Sequence, residues 1–335
     1  MKAAILRSPG GLERIEYVDR PDPGEPSAGE IRVAIKASTV NPHDYMVAAG
    51  MIPTADGRVL MADGAGVVEA VGAGVIDFAV GDRVISTFFP AWQDGPPAMA
   101  GFAQTPGDGV DGFAQEIVVR SALSFTPAPA GYSHVEAASL TTAGVTAWRA
   151  LMTNGRLREN DTVLLIGTGA VSLFALQIAK MAGARIIITS ASDEKLEQAK
   201  ALGADETINY RREATWGAKA RALTGGLGID HVVEVGGPGT LVQSIEATRP
   251  GGHIALIGVM TGLSGDIPTA ALTGKQIRLQ GVSVGSRQDQ LNLVSALSVS
   301  AFRPAIRSMS TFAALAEAFR QLQTSNALGK IGLEW

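Results

Sequence analysis

Residues Asp161 to Gly183 read DTVLLIGTGAVSLFALQIAKMAG, and this stretch decides the fold. A short apolar run from Val163 is followed by Gly167 and Gly169, then by uncharged helical text. The window Thr162–Ala179 carries no charge and touches the length of a membrane span, but the glycine pair splits it into strand, turn and helix, a buried soluble pattern. Gly167, Gly169 and Ser172 occupy the G-x-G-x-x-G/A positions, with serine as a departure at the third. The turn follows one strand, opens a helix and lies in a unit that ends at a second strand, Arg185–Thr189, so it reads as a dinucleotide-binding turn. Glycine permits the tight bend and lets backbone N–H groups approach a pyrophosphate lying on the positive end of the helix. Gly167, Thr168, Gly169, Ala170 and Val171 are the expected contacts.

Downstream, the runs VLLIG, RIIIT, ETINY, HVVEVG, HIALIG and IRLQGVSV are separated by helical or loop text. Six such strands imply right-handed βαβ units, and hence an α/β fold with a doubly wound parallel sheet. Upstream, from Met1 to about Val119, short β-like runs alternate with Gly, Pro and Asp, which suggests an all-β, barrel-like domain. Residues Ala91 to Gly112 read as a loop over it. Ser133 with Glu136 three residues later predicts a helix start. Two helical patterns after Val284 lead to a closing strand, KIGLEW, which needs a sheet edge and is expected to return to the first domain. The division expected is 1–122, 123–284 and 285–335.

Composition narrows the function. At 335 residues the chain favours two domains, and 46% hydrophobic against 18% charged residues argues against global disorder. The balance of 28 basic and 32 acidic residues leaves no surplus for a dominant nucleic-acid or membrane-surface role. No cysteine is present, which removes disulfides, thiolate zinc sites and cysteine nucleophiles, and only four histidines remain for any metal. Arg7, Glu13, Arg14 and Glu16 interrupt the amino-terminal apolar residues, so no targeting signal is read and a cytoplasmic location is expected.

Cofactor choice is read at the end of the second strand, where an Asp or Glu would suit the ribose of NAD. The chain has Ser190, with Lys195 a turn later and Tyr210 ending the third strand. A hydroxyl and a cation suit a 2′-phosphate, so NADP(H) is the expected cofactor. Asp193 offers the opposing possibility, by reaching back to the ribose. Ligands in open α/β sheets lie beyond the carboxyl ends of strands. Glu234, Val235 and Gly236, then Ile257, Gly258 and Val259, then Val284 and Gly285 are accordingly expected to line the cofactor groove, the first two sets with their backbone.

The order GEIRVAIKASTVNPHD, LMADGAGVVEAVGAGV with VGDRV, LTTAGVTAWRAL, GTGAVSLFALQIAK, and finally VGSR and ALGKI resembles the medium-chain dehydrogenase/reductase superfamily over essentially the whole chain, on its zinc-free quinone oxidoreductase side. The resemblance implies a GroES-like barrel, a Rossmann domain, a cleft where nicotinamide meets substrate, and a homodimer or tetramer. Zinc-using relatives carry ligands where this chain has Asn41, Ala62 and Thr142, and their cysteine-rich structural lobe is missing. No metal is therefore expected. Oxidising a simple alcohol is eased by a metal that lowers its pKa, whereas a quinone or α,β-unsaturated carbonyl needs a placed hydride donor and hydrogen bonds to its oxygen.

The expected activity is thus NADPH-dependent reduction of such acceptors. Its alternatives are a zinc-free alcohol dehydrogenase or carbonyl reductase, and a cofactor-binding protein with little turnover. The resemblance puts Asn41 at the nicotinamide end, against an Asx-turn before Pro42. Tyr45 is read as an oxyanion donor or proton source, against a packed aromatic. His43 is read as a general acid or as a surface pair with Asp44. Asp63 caps a turn or faces the ribose. Thr142 and Thr146 bond the carboxamide or their own helix. Lys330 matches a cofactor-proximal position of the family, Arg287 serves a helix or a subunit contact, and Phe88, Trp92 and Phe102 form an apolar lid or pack in the core.

Overall fold

The computed structural model describes residues 1–98, 102–324 and 328–335, and it divides into two compact units. One unit comprises Met1–Val145 with Gly285–Trp335, and the other Thr146–Val284. The sequence reading placed the first boundary at 122. It falls later because the helix His134–Ala138, capped by the Ser133–Glu136 box, packs on the strands Glu30–Thr39 and Ala65–Val71 of the first unit. The run from His134 to Gly155 is helical almost throughout, with π turns at Leu140–Gly144 and Arg149–Gly155. Such wide turns are rare and favour functional sites.

In the second unit six parallel strands stand in the order Glu206–Asn209, Arg185–Ser190, Thr162–Leu165, Ile229–Glu234, Thr248–Leu256, Arg278–Gly281. This is the 3-2-1-4-5-6 order of the Rossmann sheet, whose reversal beside Thr162–Leu165 opens a crevice at the strands' carboxyl ends. Leu164, Ile187, Val232 and Ile254 are buried with Trp216, Leu241 and Ile245 from covering helices. The near-continuous apolar character of the central strands follows from that burial.

The first unit holds a three-stranded and a seven-stranded sheet. Strand Glu30–Thr39 is its hub, pairing with Ala65–Val71, Ile117–Ser121 and the closing strand Lys330–Glu334. The closing strand lies antiparallel to the hub, with Gly332 opposite Thr39, and so brings Lys330 beside residues near 40. The last parallel strand ends at Gly281, earlier than the run IRLQGVSV suggested, because Val284 turns into positive φ (45°) and Ser286 caps the helix Arg287–Ser298. Among the described residues no helix is long and apolar enough to cross a membrane.

Candidate active site

The glycine turn is built as an anion cradle. Gly167 has φ 73°, a region that excludes most side chains, and its N–H is held by Thr189 Oγ1 at 3.0 Å. A Cβ at Gly167 or Gly169 would meet nothing within 4 Å, so the approach is open. Gly169 leads into the helix Ala170–Met181 without a side-chain cap, which leaves the first-turn N–H groups of Ala170, Val171 and Ser172 pointing outward. Ser172, at the third fingerprint position, is fully buried and donates to Ile166 O at 2.9 Å. Its hydroxyl ties helix to strand where glycine would give close packing alone.

At the end of the second strand Ser190 is buried, near Thr168 Oγ1 (3.4 Å) and the Ser192 N–H (3.3 Å). Ser192 caps the helix bearing half-buried Lys195, and exposed Tyr210 leads to Arg211 and Arg212. Asp193 is engaged by its neighbours. Its carboxylate accepts from Asn209 Nδ2 at 2.6 Å and from Arg212.

A buried carboxylate at a strand end expected to line the groove only with its backbone organises the next two strand ends. Glu234 is fully buried and accepts from Gly236 N (2.8 Å), Gly237 N (3.2 Å), Thr240 Oγ1 (2.6 Å) and Ser244. The signal was present as a lone acid at a strand end followed by two glycines and hydroxyls on the next helix. Gly258 must be glycine because a Cβ there would lie 1.8 Å from Val235 O. Ile257 N donates to Glu234 O, while Val259 is half exposed. Thr146 is buried in the same unit.

In the first unit the residues at the lost ligand positions form a closed polar cluster. Asp63 Oδ2 accepts from Thr39 Oγ1 (2.5 Å) and Asn41 Nδ2 (2.9 Å), and Oδ1 accepts from Thr142 Oγ1 (2.5 Å). Asp44 accepts from Asn41 N and Nδ2 and from Ala62 N. Lys330 donates to Val40 O (3.0 Å) and Asn41 Oδ1, with its Nζ 3.5 Å from Asp63 Oδ2. Burial pushes the Asp63 carboxyl up and the Lys330 ammonium down, and their mutual attraction opposes both. Asn41 and Lys330 are thus engaged within the unit at every polar atom of their side chains. Buried Met61 just ahead of the cluster is held at φ 77°, a conformation costly for a residue with a side chain.

Tyr45 does not join the cluster. Its ring packs edge-on against Phe319, centroids 6.3 Å apart, in the apolar core shared with Val47, Phe312 and Leu315. The helix Pro42–Ala48 turns Asp44 to the polar side and Tyr45 away. His43 contacts Asp108 at 2.9 Å and lies against Phe88, while Asp44 is 3.9 Å away. Phe88, Phe89, Trp92 and Phe102 form one aromatic group, Phe89 being the member the sequence reading left out. Met99–Gly101 of that loop and Ala327 of the ALGKI motif lie outside the described residues. Gly285 belongs to the first unit, where Asp289 and Val145 crowd its α-carbon, and Arg287 donates to Phe125 O at 2.9 Å.

Residues 27–130 match the alcohol dehydrogenase GroES-like domain family, and residues 170–299 match the zinc-binding dehydrogenase family. A zinc-type alcohol dehydrogenase-like protein of Schizosaccharomyces pombe is 34% identical over 333 residues, covering 97% of this chain and 96% of the relative. The chain belongs to the medium-chain dehydrogenase/reductase superfamily. Among solved members of the superfamily, an NAD-dependent alcohol dehydrogenase is 36% identical with a TM-score of 0.91, each chain covered in full. A quinone oxidoreductase of Pseudomonas syringae pv. Tomato DC3000 is 27% identical with a TM-score of 0.83, covering 100% of this chain and 99% of that one. The superfamily binds nicotinamide cofactors, and this member is an alcohol dehydrogenase-like oxidoreductase.

The residues present fit the cofactor and do not fit zinc. The open glycine turn and uncapped helix offer N–H donors for a pyrophosphate. At the ligand positions Ala62 has no donor atom, Thr142 Oγ1 is spent on Asp63, and Asn41 Oδ1 already holds the Lys330 ammonium. Among the described residues no group of three or more His, Cys, Asp or Glu is arranged to hold a metal ion.

Proposed function

We propose that this oxidoreductase is NADP(H)-dependent and zinc-independent, and that it reduces quinones or α,β-unsaturated carbonyls. The observation that carries the proposal is the lysine ammonium seated among the residues that replace zinc ligands. A buried ammonium supports the local polar network but cannot coordinate an alkoxide as a metal does. The acceptor must therefore be one whose reduced form needs little help, as a hydroquinone or enolate does.

Bound in its reduced form, the nicotinamide cofactor supplies a hydride. This chain's residues bind and orient it. The N–H groups of residues 170–172 take the pyrophosphate, and Glu234 fixes the Gly236–Gly237 turn along the groove. Ser190, Lys195 and Arg211 would offer a 2′-phosphate a hydroxyl and positive charge, while Arg212 neutralises Asp193. The competing reading, an NAD(H)-linked carbonyl reductase, draws on the NAD-dependent relative, and the engagement of Asp193 by Asn209 and Arg212 speaks against it. A cytoplasmic homodimer completes the proposal, the exposed edge strand Arg278–Gly281 being the surface suited to a second copy.

The test is a tryptophan-fluorescence titration with NADPH and NADH, followed by rates on a panel of quinones, enones and simple alcohols. Tighter NADPH binding with turnover of the first two classes is expected. Preference for NADH, or turnover of simple alcohols alone, would overturn the proposal.

A further inference from the structure

In the second unit the turns that follow the neighbouring strands Ile229–Glu234 and Thr248–Leu256 are fastened to each other by side chains as well as by the sheet. Thr261 donates from both its N–H and its Oγ1 to Gly236 O, each at 2.9 Å, and its Oγ1 accepts from Gly239 N at 2.8 Å. Gly236 is held from the other side by the buried Glu234 carboxylate, to which its N–H donates at 2.8 Å. The main chain of Gly236 is thus gripped at nitrogen by Glu234 and at oxygen by Thr261. Thr240 closes the ring of contacts by donating to the same Glu234 oxygen at 2.6 Å. Glycine makes the approach possible: Gly237 stands at φ 94°, and a Cβ on it would lie 3.0 Å from Gly258 O. Thr261 itself is exposed and takes no part in the apolar core of the sheet, so its hydroxyl serves the turns and not the packing beneath them.

In a sheet of this strand order each half binds one mononucleotide. The half built on Thr162–Leu165 carries the glycine turn and ends its second strand at Ser190, which suits the adenosine side. The half that opens with Ile229–Glu234 is left for the nicotinamide side. We infer that Glu234 and Thr261 are positioning residues for the nicotinamide half of the coenzyme, latching the two turns into a single lip at the carboxyl ends of their strands. Glu234 works from beneath with four neutral donors around its carboxylate, and Thr261 works from the solvent side. The inference rests on the nicotinamide coenzyme of the superfamily, and on neither the 2′-phosphate nor the acceptor proposed above. Because the latch touches only these turns, its loss is felt by the half of the coenzyme that lies along them and not by the half at Ser190.

The experiment compares wild type with Thr261→Val, Thr261→Ser and Glu234→Gln by calorimetric titration. NADPH and NADH serve as whole coenzymes, and 2′,5′-ADP and 5′-AMP as probes of the adenosine half. Thr261→Val loses both hydroxyl bonds while keeping the side chain's shape, and should weaken the preferred coenzyme about tenfold, with binding of the adenosine probe and melting temperature unchanged. Thr261→Ser restores the hydroxyl and should return to within about twofold of wild type. Glu234→Gln keeps an oxygen for the N–H groups of Gly236 and Gly237 but removes the charge, and should weaken the whole coenzyme about threefold and the adenosine probe not at all. Chymotrypsin should cut after Met260 or Leu263, 83% and 88% exposed, faster in Thr261→Val than in wild type. Thr261→Val that binds the whole coenzyme within about twofold of wild type overturns the inference, as does a loss shared equally by the adenosine probe. A wild type that prefers NADH and shows the same pattern with NADH and 5′-AMP upholds the inference while removing the NADP(H) reading. A wild type that binds neither coenzyme removes both.

Discussion

Replacing Lys330 by methionine removes one charge from a fully enclosed cluster while keeping the side chain's length. Asp63 would then be a carboxylate with no exposure and no cation, held only by Thr39, Asn41 and Thr142, and Asn41 Oδ1 and Val40 O would each lose their donor. Breaking a buried pair from one side costs about 3–5 kcal/mol, because the remaining charge is left desolvated. In a unit of roughly 200 residues that corresponds to a fall in melting temperature of about 10 °C. Differential scanning calorimetry measures it, and the transition of the first unit is the one expected to move. The double variant Lys330→Met/Asp63→Asn removes both members of the pair and should recover at least half of the loss, since the remaining carboxylate, Asp44, keeps its donors from Asn41 and Ala62. A Lys330→Met protein that melts within 2 °C of wild type would refute the reasoning that a cation is required at this place.

Gly169→Asp puts a carboxylate at the open helix start, where no atom crowds a new Cβ, so NADPH affinity should fall about 100-fold by calorimetric titration with little change in melting temperature. The double variant Lys195→Ala/Arg211→Ala should lower the NADPH-to-NADH affinity ratio about tenfold by fluorescence titration, NADH binding staying as it is. His253 is buried, and burial, reinforced by Arg278 and His231, lowers its pKa to about 4. An unfolded histidine binds its proton near 6.5, so the stability this neutral ring contributes is present above that pH and is lost as pH falls from 6.5 to 4. The loss is at most about 3 kcal/mol. Urea unfolding across that range should show it, and His253→Leu should flatten the slope.

The parts of the fold legible in the sequence are those set by local chemistry. The glycine turn is one, because φ 73° at residue 167 admits little else, and the Ser133–Glu136 cap is another. The six strands were legible because each is a short, bounded apolar run. The polar cluster was not, since Lys330 reaches Asn41 across 289 residues of chain through the pairing of the closing strand, which no spacing encodes. Tyr45 was assigned to the site from its distance to Asn41 along one helix, but the face it takes is decided by Phe319 of the carboxyl-terminal helix. Asp108 is likewise a loop residue whose partnership with His43 depends on how the loop returns. Glu234 was placed at its strand end, but the role of its side chain was readable only from the glycines and the hydroxyls at helical spacing that follow it.

The central claim is tested most directly by the rate of NADPH oxidation with an enone acceptor, using protein treated with a strong chelator and verified by elemental analysis to hold less than one-tenth equivalent of zinc. The account predicts that turnover is the same before and after chelation and is unmoved by added zinc. Activity that disappears on chelation and returns in proportion to zinc would contradict it.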